Sequence, residues 1–227
     1  GARGDQCDDC GKTLDSKELI DPHPKLNPDA KLEFKETEHL FFKLSDFRDT
    51  LLEWLSKGKE HWRPSVINFT RNWLEEGLID RAITRDLEWG IKIPREGYEN
   101  KRMYVWFEAV MGYYSASLHW AKNQGDKNLW KEWWENDDAE HYYFMAKDNI
   151  PFHTIIWPAM LSGCGYKLPH DVPANEYLLL GGFVLPIGKS KKISDFECFI
   201  NNFFNSSNVL IHARLIRKIE FSGRGIL

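Results

Sequence analysis

The sequence predicts an α/β fold, and three observations carry the prediction. From residue 79 onward, short apolar runs alternate with stretches of helical periodicity. That alternation argues for strands joined by helices, and so for a parallel sheet. Second, Tyr142-Tyr143-Phe144-Met145 is an apolar run of the kind found in strands covered on both faces. Third, Lys147-Asp148-Asn149 breaks this run, and Pro151 follows where a first helical turn tolerates proline. Asp148 or Asn149 is placed to cap that helix. His153 and Trp157 are four apart and share one helix face. Ligands of open α/β sheets bind at such strand-to-helix corners.

The chain has 227 residues, 42% of them hydrophobic and 14% aromatic, with ten Trp, which supports a real core. A net charge of -4 speaks against a wholly basic nucleic-acid binder. Residues 181–227 are the exception, with seven basic and three acidic side chains. No window is apolar enough for a membrane span, and no signal peptide is visible. The four Cys do not form a disulfide framework, so a reducing, cytoplasmic setting is expected.

Residues 1 to about 31 are polar and turn-rich. Cys7-Asp8-Asp9-Cys10-Gly11-Lys12 has the form of a zinc knuckle, two thiolates followed by Gly at a tight turn. Zinc takes four ligands, and neither His23 nor His39 has the spacing to complete the set. Cys7 and Cys10 are therefore half a metal site or a pair of free thiols. Three prolines make 22–28 a loop, and 32–44 predicts a strand. Ser45-Asp46 opens a helix with Phe47, Leu51, Trp54 and Leu55 at helical spacing, closed by Lys57-Gly58. A second helix opens at Pro64-Ser65 with the stripe Val66, Ile67, Trp73 and Leu74, and Gly77 ends it. Both stripes read as core.

Further along, strands are expected at 81–89, 103–107, 142–145 and 175–180. Helices are expected at 111–121, 130–134 and 149–162, the last kinked at Pro158. No internal repeat is present, and 201–208 is rich in Asn, Ser and Phe.

Three motifs fall at the ends of these strands: Thr84-Arg85-Asp86-Leu87-Glu88-Trp89-Gly90, Tyr104-Val105-Trp106-Phe107-Glu108-Ala109-Val110-Met111-Gly112-Tyr113, and Met145-Ala146-Lys147-Asp148-Asn149 through Phe152-His153. In this order they closely resemble methionyl-tRNA synthetase, a class I aminoacyl-tRNA synthetase. The Ala2-Arg3-Gly4-Asp5-Gln6-Cys7 to Cys10 stretch and Glu36-Thr37-Glu38-His39 extend the match upstream, and the resemblance covers roughly residues 1 to 181. It implies the second half of a Rossmann-like nucleotide-binding domain, preceded by the rear part of a zinc-knuckle connective insertion. The corresponding boundaries are 1–78 for the insertion, 79–193 for the catalytic half and 194–227 for a divergent or disordered tail.

The implied activity is methionine–tRNA ligase, with methionine, ATP with Mg, and tRNA(Met) as partners. A methionine pocket is apolar and aromatic, which suits a polarizable thioether. Trp106, Ala109, Tyr113, His153 and Trp157 match its lining, and Phe152 a neighbour packed behind it. Arg85 and Asp148 match positions that orient the charged end of the substrate, and Asn149 one that contacts the amino acid or adenylate. Relatives commonly carry Pro where Val110 stands. Cys7 and Cys10 match half of a zinc knuckle, and its other Cys pair is expected upstream. The His-Ile-Gly-His signature for ATP phosphates is absent and is expected upstream of residue 1.

The Lys-Met-Ser-Lys-Ser loop has two imperfect matches, Pro186-Ile187-Gly188-Lys189-Ser190 and Lys192-Ile193-Ser194-Asp195-Phe196. Lys189, Ser190 and Lys192 are thus the candidates for ATP binding, and Lys189 for charge stabilisation as pyrophosphate leaves. Residues 199–227 do not match the helical stem of the family. They read either as the product of a truncated or frameshifted gene or as a divergent tail whose Arg214, Arg217 and Lys218 reach RNA phosphates. The expectation is a fragment inactive alone; the alternative is a non-catalytic remnant that binds methionine or RNA.

Overall fold

The computed structural model describes residues 18–23, 27 and 31–175, and the backbone of the strands 2–3, 6–7, 179–180, 183–184 and 211–221. The chain divides into two units, one of Gly1–Leu40 with Ala213–Leu227 and one of Phe41–His212. In the first, β1 (Ala2–Arg3) pairs antiparallel with β2 (Gln6–Cys7). The long strand β3 (Leu32–Phe42) begins in this unit, beside β11 (Ile211–Phe221).

The second unit mixes helices and short strands. The end of β3 pairs antiparallel with β4 (Arg81–Ala82). Between them α1 (Arg48–Leu55) and α2 (Pro64–Glu76) form a helical hairpin. Pro64 opens α2, whose buried face is Val66, Thr70 and Leu74, spaced by one helical turn. From α1, the Arg48 Nε–H donates to the Leu74 carbonyl (2.8 Å), an acceptor left open near the end of α2. The link between the helices is tied down by Trp62 Nε1, which donates to the His170 carbonyl (2.7 Å), and by Arg63, which donates to the Ala174 carbonyl (2.6 Å).

Strands β5 (Thr84–Arg85) and β6 (Arg102–Met103) pair antiparallel. The loop joining them turns at Gly90, with φ of 130°. An added Cβ there would lie 3.2 Å from the Arg102 side chain, so both backbone and space call for Gly. The sequence pattern predicts one long strand over 81–89; the backbone makes two short ones and a bend.

The expected strand at 103–107 is also shorter. It ends at Met103, and α3 (Val105–Glu108) starts at once. The N–H groups of Phe107 and Glu108 both reach the Tyr104 carbonyl at 3.0 Å. A 3₁₀ turn (Ala109–Met111) and α4 (Gly112–Asn123) continue it. Phe107, Val110, Met111 and Tyr114 are all buried, at helical spacing. Five consecutive apolar residues cannot distinguish strand from helix; the residues after them decide.

The short helix α5 (Lys131–Trp134) and α4 meet through Tyr114, whose ring lies 5.1 Å from Trp134 and 5.3 Å from Tyr166. Trp134 in turn stands edge-on to Trp157. Aromatic pairs of this geometry carry much of a core's burial.

The parallel pairing that the sequence predicts joins β7 (Met145–Ala146) to β8 (Ala174–Asn175). It extends backwards through a bridge between Tyr142 and Asp171. A 3₁₀ turn (Lys147–Asn149), a π-helical turn (Phe152–Ile156) and α6 (Trp157–Cys164) make the crossover. No side-chain cap closes the start of this segment, although Asp148 and Asn149 stand there. Pro158 has no N–H to give, and the ladder is already reset before it: the Trp157 N–H donates five residues back, to Phe152. Strands β9 (Leu179–Leu180) and β10 (Phe183–Val184) form an antiparallel pair. Among the described residues, no helix is long and apolar enough to cross a membrane.

Candidate functional site

A cleft of about 140 Å³ lies between the α3–α4 run and the π-helical turn. That volume suits one small side chain and falls below the usual range for larger ligands, which starts at about 300 Å³. Trp106, Ala109, Val110 and Tyr113 supply one wall, spaced three and four apart as residues of one helix face must be. Asn149, Phe152 and His153 supply the other. Trp106 and Tyr113 are 54% and 42% exposed, so two aromatic rings line an open mouth. The Trp106 and Phe152 rings stand 6.3 Å apart.

The polar groups of the cleft are wired to each other. His153 Nδ1 lies 2.9 Å from the Asn149 carbonyl, which can only accept. Its hydrogen is therefore assigned to Nδ1, and Nε2 is left as an acceptor. The Tyr113 hydroxyl, 2.8 Å from Nε2, must donate. Burial lowers the pKa of His153, and the Asn149 carbonyl opposes this only in part. Burial likewise raises that of Tyr113. The cleft thus presents a neutral imidazole and a neutral phenol. Behind it Tyr143 packs on Tyr113, ring centres 5.0 Å apart, and its hydroxyl accepts from Trp157 Nε1 at 3.0 Å. The chemistry this offers is apolar and polarizable, with one oriented hydroxyl.

The sequence matches the family described as tRNA synthetases class I (M) over residues 1–203. The chain belongs to that family. The methionine–tRNA ligase of Dehalococcoides mccartyi (strain CBDB1) is 59% identical over 179 residues, 78% of this chain and 32% of the relative. That of Thermoplasma volcanium is 54% identical over 182 residues, 80% of this chain and 33% of the relative. The chain therefore spans about a third of the length of these relatives. Among solved structures, Mycobacterium tuberculosis methionyl-tRNA synthetase in complex with methionyl-adenylate matches with a TM-score of 0.51 and 21% identity. It covers 64% of this chain and 35% of that one, a likeness of fold.

The synthetase motifs assemble as follows. Trp106, Ala109, Tyr113, Asn149, Phe152 and His153 come together on the cleft. Phe152, expected behind the lining, is on the wall, while Trp157 is fully buried behind it. Arg85 and Asp148 are outside the lining. Arg85 donates to the carbonyls of Ala82 (3.0 Å) and Thr84 (2.8 Å), with its guanidinium 3.8 Å from the Tyr104 ring centre. Asp148 is exposed and lies 3.3 Å from the Asn149 amide nitrogen. Cys7 falls in β2, which the structure describes by its backbone; Cys10, Lys189, Ser190 and Lys192 lie outside the described residues.

Two residues of the α3–α4 run are not anticipated from sequence as site residues, and one of them lines the cleft. Val110, noted only for standing where relatives carry Pro, lines it; the i+4 spacing from Trp106 was the available signal. Glu108, on the same helical run, is half-buried; desolvation raises its pKa to about 7, and its Oε2 has no hydrogen-bond partner.

Proposed function

We propose that this chain is the part of a methionine–tRNA ligase that holds the amino acid. The ligase joins methionine to ATP as methionyl-adenylate, releasing pyrophosphate, and then transfers the methionyl group to the terminal ribose of tRNA(Met). The carrying observation is the neutral aromatic cleft of Trp106, Tyr113, Phe152 and His153. A thioether is apolar and polarizable and gains from sulfur–aromatic contact, about 1 kcal/mol per contact. Charged side chains find no counter-ion among the lining residues. The methionyl-adenylate of the mycobacterial relative accords with this ligand class.

On this reading residues 79–193 are the second half of the nucleotide-binding domain, and 1–78 the rear of a zinc-bearing insertion. Residues 194–227 form a divergent tail. Arg85 and Asp148 orient the ammonium and carboxylate once substrate enters, and Lys189, Ser190 and Lys192 contact ATP. Cys7 and Cys10 offer half of a tetrahedral zinc set; of the two, Cys7 ends β2, where it is paired with Ala2. Among the described residues no three His, Cys, Asp or Glu side chains are grouped to hold a metal. The work of the ligase is cytoplasmic, and its catalysis is mainly positioning and charge stabilisation.

Calorimetry with methionine tests the pocket. Methionine should bind and Trp106→Ala should abolish the signal; binding that survives this change contradicts the pocket. In methionine-dependent pyrophosphate exchange the chain alone should be silent, because the His-Ile-Gly-His contribution to the ATP site is absent from its sequence. Exchange by the isolated chain would refute that part of the proposal.

A further inference from the structure

The π-helical turn that carries Phe152 and His153 is anchored on a helix remote in sequence. Thr70 on α2 and Thr154 in the turn are both fully buried. Their Oγ1 atoms are 2.9 Å apart, across 84 positions of chain. Thr70 Oγ1 also lies 2.8 Å from the Val66 carbonyl, and Thr154 Oγ1 2.9 Å from the Ile150 carbonyl. Two hydroxyls own two hydrogens and share three contacts, so at most two of the three are hydrogen bonds at once. Valine has nearly the same shape and would avoid burying two polar groups. Each hydroxyl could instead bond only its own helix. At 2.9 Å the two hydroxyls are nevertheless within hydrogen-bond distance of each other, and that contact ties the two elements.

A π-helical turn holds one residue more than an α-turn. Relaxing it to α-helix would rotate the residues before it against those after it by about 100°. Phe152 and His153 lie in the turn, and Trp157 just beyond it. Which way His153 faces relative to buried Trp157 therefore depends on the turn keeping its extra residue. Thr154 is the next residue after His153, and it is the one tied to α2.

We infer that Thr70 is a positioning residue for the cleft: through Thr154 it holds the π-helical turn in the register that sets His153 Nε2 against the Tyr113 hydroxyl. Thr70 itself is not among the lining residues. The role rests on the proposed pocket only for its effect on methionine.

The test pairs Thr70→Val, which keeps the shape and removes the hydroxyl, with Thr70→Ser, which keeps the hydroxyl. Both are read by the chemical shifts of the His153 ring nitrogens in the ligand-free chain and by methionine affinity in calorimetry. Thr70→Val should move the Nε2 resonance, as its Tyr113 bond lengthens, and weaken methionine binding about three- to tenfold, the worth of one net hydrogen bond. Thr70→Ser should return both towards the wild type. His153 resonances that stay in place in folded Thr70→Val overturn the inference. Should that variant fail to fold, Thr154→Val removes the same bond from the other side, and the same resonances decide in the same way. Shifted resonances in a chain that takes up no methionine keep the positioning role and overturn the proposed ligand instead.

Discussion

Glu108 sits in sequence between the cleft residues Trp106 and Ala109. Two residues on from Trp106, helical geometry sends it towards the opposite side. Its pKa is raised to about 7 by desolvation alone. A carboxyl whose folded pKa lies above its unfolded value binds its proton more tightly in the folded chain. Its stabilising contribution is complete below the unfolded value of 4.5 and is lost as pH rises through about 7. Glu108→Gln removes the titration while keeping size and hydrogen bonding. The variant should match the wild type in thermal melts near about pH 4 and exceed it near about pH 8, by about 1 kcal/mol once screening at a half-exposed site is allowed for. Equal stability at the higher pH would show that Glu108 is paired. At this scale the sequence marks residues by type and motif position, and six marked residues meet on the cleft. It is silent on Glu108, because a single Glu on an amphipathic helix reads as a solvated face. It is silent too on the Tyr113–His153 bond, which joins positions 40 apart.

Elements were legible where periodicity ran long and ends were punctuated. The α1–α2 hairpin follows from its stripes, Pro64 and Gly77, whose φ is 97°. Legibility failed at 103–108, where an apolar run served both strand and helix, and at 152–156, where Pro158 signals a break without saying that it takes the form of a π-helical turn. The β5–β6 hairpin holds a further feature without a sequence signature. Lys101 Nζ lies 2.6 Å from Asp86 Oδ1, with side chains only 8% and 19% exposed. Replacing such a pair as a unit costs little, whereas removing one member takes a close counter-charge away from the other. Lys101→Met should therefore destabilise the chain by about 3 kcal/mol in urea unfolding. Combining it with Asp86→Leu should recover most of that loss. If the double variant is no better than the single one, the cost lies in packing and the ion pair is not its source.

For the molecule as a whole, the apolar surface matters most where it meets an open strand. Among the described residues, β7 pairs with β8 along one edge. In a parallel ladder, alternate residues direct their N–H and C=O groups to opposite edges. Tyr143 and Met145 donate to Asp171 (3.0 Å) and Pro173 (3.2 Å), so Tyr142 and Phe144 direct theirs to the other edge. Phe144 is also 77% exposed and Tyr142 47% exposed. An edge with open backbone groups and large apolar side chains is a template for pairing with another chain. Natural edges are commonly protected by a lysine. The apolar run 142–145 was read from sequence as a strand covered on both faces; here its burial alternates, with Tyr143 at 7%. Covering it is what the pattern of the sequence asks for, and among the described residues part of it is open. Phe144→Lys should therefore lower self-association by about half or more in light scattering at high concentration. The thermal midpoint should barely move, because the side chain has little burial to lose. Unchanged scattering would place the sticky surface elsewhere, with exposed Trp89 the next residue to replace. A collapse of the midpoint would mean that Phe144 is already covered in solution.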